Sequence, residues 1–220
     1  MKALVTGFEP YGGRGLNPAA EVACAIDGAM ANGLRVKGVC LPVSLAGAPD
    51  ALVERIEEWE PDITLCLGLW PGEPMIRLER IALNCADFEI PDEAGHLASN
   101  ETLDAGGPDG IHARLPLHDA LEALWRQGIP ARLSGTAGTY LCNATMYRLL
   151  RYAQMHRPKM LAGFVHLPYL PSQVSRLLIE LRAEQSMELH QRADLASMDL
   201  QTMLIAVNTL LAVCAQRLQA

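Results

Sequence analysis

The chain has 220 residues, half of them apolar and a fifth charged, a balance that excludes a disordered or collagen-like polymer and allows a sizeable core. The charge sum of −7 excludes the basic footprint of a nucleic-acid binder or a polybasic membrane patch. No apolar run approaches the roughly 20 residues of a membrane span, and the stretch after Met1-Lys2 is too short for a secretory signal, so a cytoplasmic protein is expected.

In chain order, residues 2–6 form a short apolar run ended by Gly7 and predict a buried strand. Asn17-Pro18 opens a helix, with Val22, Ile26 and Met30 on one face and Gly33 as its stop. Residues 34–43 predict a strand, 48–59 a helix and 63–68 a strand running into Gly68. Ile76, Leu78, Ile81 and Leu83 alternate over 76–84 as one further strand. Residues 91–115, rich in Pro, Gly, Asp and Asn, read as a long loop of the kind that often carries function. A helix over 117–127, a short strand over 129–133, a helix over 142–156 and a buried strand over 160–165 follow, then helices over 171–184 and 196–218. This alternation predicts one α/β domain spanning 1–220, with a largely parallel sheet covered by helices. Ligands of such sheets sit at the carboxyl ends of strands, where Gly7, Gly68 and His166 fall.

Four features carry chemistry. The loop Gly7-Phe8-Glu9-Pro10-Tyr11-Gly12-Gly13 lacks the spacing of a phosphate cradle, but Phe8 and Tyr11 either line an apolar pocket or pack into the edge of the core. Cys142 begins a helix, where the positive end of the dipole favours a thiolate; the alternative is one more core thiol. His166 ends a strand 24 residues later. One helix, a turn and a strand fit that interval and would put His166 beside Cys142 on neighbouring parallel strands. A Cys–His pair is the minimum for thiol nucleophilic catalysis. Glu79 shares a strand face with Arg77 and either orients an imidazole or is surface charge.

The remaining histidines, His96, His112, His118, His156 and His190, show no metal-ligand spacing, so no metal is expected. The six cysteines, Cys24, Cys40, Cys66, Cys85, Cys142 and Cys214, include no Cys-x-x-Cys pair and predict a reducing compartment rather than a disulfide framework. The apolar stripe of Met203, Leu204, Val207, Leu210 and Leu211 reads as a core or subunit-facing helix face.

Taken in order, Val5 to Gly13, Asn17-Pro18, Gly68, Leu78-Glu79-Arg80-Ile81-Ala82-Leu83-Asn84, Ile90-Pro91-Asp92, Gly138-Thr139-Tyr140-Leu141-Cys142-Asn143 and Gly163 to Pro171 resemble the pyroglutamyl-peptidase I (pyrrolidone carboxyl peptidase) family of cysteine peptidases over nearly the whole chain. The resemblance implies a single three-layer α/β/α domain with a mixed, largely parallel twisted sheet. It also implies a triad of Cys142 as nucleophile, His166 as base and acid, and Glu79 as orienter. The implied substrates are small peptides with an N-terminal pyroglutamate, held in an apolar pocket matched here by Phe8, Tyr11, Ile90, Tyr140 and Leu141. No cofactor is implied, and the implied assembly is a homodimer or homotetramer in the cytoplasm.

The chain departs from the family at Leu69, followed by Trp70-Pro71, where the family carries Gln and small residues. Gln can bond both the N–H and the C=O of a lactam, and Leu cannot. The same triad acting on another N-blocked or cyclic amide is therefore an alternative, as is a binder of blocked peptides that does not cleave them.

Overall fold

In the computed structural model, which describes residues 1–183 and 195–220, the N-terminal apolar run is β1 (Lys2–Phe8). It is followed by α1 (Pro18–Ile26), β2 (Met30–Ala31), β3 (Leu34–Leu41), α2 (Ala48–Trp59), β4 (Ile63–Leu69), β5 (Ile76–Glu79), β6 (Ile81–Leu83) and β7 (Gly110–His112). Then come α3 (Leu117–Arg126), β8 (Ala131–Ser134), α4 (Leu141–His156), β9 (Leu161–Leu167), α5 (Pro171–Ala183) and α6 (Leu200–Gln219).

Among the described residues, seven strands form one sheet in the order β2-β3-β1-β4-β9-β5-β8. The four central strands β3, β1, β4 and β9 run parallel. At one edge β2 is antiparallel to β3. On the other side β5 runs antiparallel to β9 and parallel to β8. Every residue of β4 is buried, as a strand covered on both faces must be. One apolar core joins α1, α3 and α6 to the first face, and a second joins α2 and α4 to the other, giving three layers.

Three expectations are corrected. The helix opened by Asn17 stops at Ile26 and does not reach Met30. Asp27 takes an extended backbone, and Gly28, at a φ of 75°, turns the chain back, so Met30 lies in an edge strand and is 72% exposed. The single strand over 76–84 is two strands in two different sheets: β5 belongs to the large sheet, while β6 pairs with β7. Strict alternation cannot distinguish a straight strand from two that change sheets at Arg80. The loop over 91–115 contains β7, and it is tied down at its start by Asp92 and farther along by Asn84. The other boundaries agree to within a few residues; Glu184, the last residue of the helix predicted over 171–184, lies outside the described residues.

Candidate active site

The carboxyl ends of β4 and β9 bring Gly68 beside His166, and antiparallel β5 brings Arg77 to the other side of the same histidine. Side chains two apart on a strand share a face, so Glu79 lies on that face too. Its Oε1 accepts a hydrogen bond from His166 Nδ1 at 2.8 Å. The same oxygen accepts Arg77 Nε at 3.0 Å. Glu79 is 0% exposed and His166 1%. A proton held at Nδ1 by the carboxylate leaves Nε2 as the nitrogen free to accept another.

Cys142 is the second residue of α4, and no side chain caps the helix at Tyr140, so amides of the first turn are left for another acceptor. Asn143 fixes the helix start. Its Nδ2 donates to the carbonyls of Leu83 and Cys85, each at 2.9 Å, and its Oδ1 accepts Leu83 N–H at 2.8 Å. The thiol lies over Gly68, the one residue type that leaves it room: a Cβ there would stand 2.8 Å from Cys142 Sγ and 2.9 Å from the Phe164 ring.

Cys142 and His166 therefore meet, but not on neighbouring parallel strands as the sequence interval suggested. The strand before Cys142, β8, is separated from β9 by β5 and runs the opposite way. Burial, reinforced by the Glu79 charge, pushes Cys142 up to about 12. Burial lowers the His166 imidazole below its ordinary value, outweighing the hydrogen bond to Glu79 that would raise it. Burial thus disfavours the charged form of each group, and among the described residues no hydrogen bond joins them.

Cys142 and His166 line a cavity of about 370 Å³. Of the predicted pocket residues, Tyr11, Ile90 and Tyr140 also line it. Phe8 and Leu141 do not: both are buried in the core beneath. Tyr140 is held over the site by its hydroxyl, which donates to Pro91 O at 3.2 Å, and by the Phe88 ring at 4.4 Å.

Leu69, Trp70 and Pro71 form another part of the wall. Sequence reasoning noted Trp70 only as a departure, yet its ring meets the His166 imidazole edge-on at 5.0 Å. Arg77 was seen only as sharing a face with Glu79; the Arg-x-Glu spacing on a strand was the available signal. Among the described residues no group of three or more His, Cys, Asp or Glu side chains could hold a metal, and His190 lies outside them. No described helix is long and apolar enough to cross a membrane.

Comparison with known proteins adds the following. The family model described as pyroglutamyl peptidase matches residues 1–215. The pyrrolidone-carboxylate peptidase of Pyrococcus furiosus is 40% identical over 174 residues, covering 79% of this chain and 84% of that one. That of Chromobacterium violaceum is 40% identical over 173 residues, covering 79% and 80%. Among solved structures, the pyrrolidone carboxyl peptidase from Thermococcus litoralis superposes with a TM-score of 0.91 at 35% identity, over 99% of this chain and 94% of that one. Bacillus amyloliquefaciens pyroglutamyl peptidase I superposes with a TM-score of 0.87 at 30% identity, over 98% and 97%.

Proposed function

The chain belongs to the pyroglutamyl peptidase family, and we propose that it hydrolyses the amide bond after an N-terminal pyroglutamyl residue with Cys142, His166 and Glu79 as its triad. The observation that carries this reading is the 2.8 Å bond from His166 Nδ1 to Glu79, beneath a cavity that also holds the Cys142 thiol.

In this mechanism His166 Nε2 takes the thiol proton as Sγ attacks the pyroglutamyl carbonyl. Backbone amides at the start of α4 receive the oxyanion. The imidazolium, offset by Glu79, gives its proton to the leaving amine. Water, deprotonated by the same imidazole, then attacks the acyl carbonyl, and the Cys142 sulfur leaves and takes the proton back from the imidazolium. Tyr11, Ile90 and Tyr140 enclose a ring that carries no charge. The same reading takes residues 1–220 as one peptidase domain, acting on small peptides in the cytoplasm as a homodimer or homotetramer. Sedimentation of the purified protein tests the assembly.

The deciding experiment is hydrolysis of a fluorogenic pyroglutamyl amide with and without prior thiol alkylation. Turnover that alkylation abolishes is expected; turnover that survives it overturns the thiol mechanism. A second reading is favoured by Leu69, which lines the cavity where the family carries Gln. It keeps the triad and changes the substrate to another cyclic or N-blocked amide. A panel of N-blocked arylamides separates the two, because preference for pyroglutamate eliminates the second.

A further inference from the structure

Building on the triad reading, we infer that Arg77 is a positioning residue: it holds Glu79 turned toward His166 and braces Trp70 against the imidazole. The guanidinium is occupied on its edges and its face. Nε donates to Glu79 Oε1 at 3.0 Å, the oxygen that also serves His166. Nη2 donates to Ser134 Oγ at 2.7 Å and Thr136 O at 2.9 Å, and Nη1 reaches Glu73 Oε2 at 3.4 Å. The guanidinium carbon stands 3.7 Å from the centroid of the Trp70 ring, whose edge meets His166.

An arginine that is 5% exposed is costly unless its charge has a partner. The surrounding charges show which partner that is. Glu73 already has its own cation in Arg132, through bonds of 3.1 and 2.6 Å. Arg80 bonds the Ser134 carbonyl and leaves Glu79 alone. Among the described residues, Arg77 is the cation hydrogen-bonded to Glu79, and Glu79 Oε2 is buried with no partner. Without Arg77, a fully buried carboxylate would face only a neutral imidazole and, beyond it, the Cys142 thiol. Desolvation would then favour adding a proton to the His–Glu pair. A base that is already protonated cannot accept the proton of the thiol. Arg77 thus keeps the base available and, through Trp70, sets one wall of the cavity.

The test compares the full chain with Arg77→Met and Arg77→Lys. The pH midpoint of the His166 imidazole is read by NMR, and kcat and KM for a pyroglutamyl arylamide are read across the same pH range. In Arg77→Met the midpoint and the acid limb of kcat/KM should both rise by about one pH unit, a roughly tenfold loss of kcat/KM at acid pH. Arg77→Lys keeps the charge but not the fork or the stacking face, so the midpoint should hold while KM rises. If Arg77→Met fails to fold, the lysine variant carries the test alone. An unchanged midpoint in folded Arg77→Met, or a shifted midpoint or unchanged KM in Arg77→Lys, overturns the inference. A wild-type chain inactive on pyroglutamyl amides would sink the substrate reading instead, and the NMR midpoints would still decide the role of Arg77.

Discussion

Gly68 lies directly beneath the Cys142 thiol, with no room between them for a methyl group. Gly68→Ala would place a Cβ 2.8 Å from Sγ and 2.9 Å from a buried aromatic ring. Overpacking of this kind costs about 1–3 kcal/mol. The thiol is the lighter neighbour and should move first. We expect kcat/KM to fall by at least tenfold while thermal unfolding shows a folded protein. Full activity in the alanine variant would mean that the thiol need not sit where it does.

Cys142→Ala should abolish turnover, with a loss of about a thousandfold or more. Cys142→Ser should be nearly as poor, because a hydroxyl is a weak nucleophile beside a buried imidazole. Single-turnover assays on folded variants decide this. Retention of wild-type turnover by either variant excludes Cys142 as the nucleophile.

Glu79→Gln keeps an acceptor near His166 Nδ1 but removes the charge that offsets the imidazolium and pairs with Arg77. A loss of about a hundredfold to ten-thousandfold in kcat is expected, with little change in KM. Steady-state kinetics measure it. A change confined to KM would assign Glu79 to binding rather than to the base.

The pH profile has a defined sign. In the proposed mechanism His166 serves as a base only when neutral, and burial lowers its pKa below the ordinary 6.5. Activity should therefore persist on the acid side of that value and be lost only as pH falls through the depressed pKa. The acid limb of kcat/KM should lie below pH 6.5. A limb above 7 would mean that the carboxylate outweighs desolvation.

Asp92 accepts backbone N–H groups from Leu45 at 2.8 Å and from Ala94 and His96 at 2.9 Å, fixing the loop that presents Ile90 to the cavity. Asp92→Ala leaves those donors without their acceptor. Each of these partly buried hydrogen bonds is worth about 0.5–1.5 kcal/mol. A lower Tm and a raised KM are expected together. A lower Tm with unchanged KM would show that the loop matters for stability alone.

Much of this architecture is local and so was legible in the chain. Buried parallel strands are continuous apolar runs, and amphipathic helices announce themselves through a repeat of 3.6, which is why the limits of β4 and α2 are legible in the sequence. Local signals failed where a partner from elsewhere made the decision. The turn at Gly28 and the pairing with β3 overrode the helical spacing of Val22, Ile26 and Met30. Phe8 and Leu141 have the right chemistry for a pocket, but packing turned both into the core.

By itself the sequence determined the α/β class, the position of Cys142 at a helix start, and the residue types of a thiol hydrolase, because all three depend on neighbours close along the chain. Only the tertiary structure decided that β5 runs backwards between β8 and β9. That reversal carries the buried Arg77 and Glu79 to the buried His166. Charges and aromatic faces act through space and through the water they exclude, so their effect on one imidazole depends on distances that no one-dimensional spacing contains.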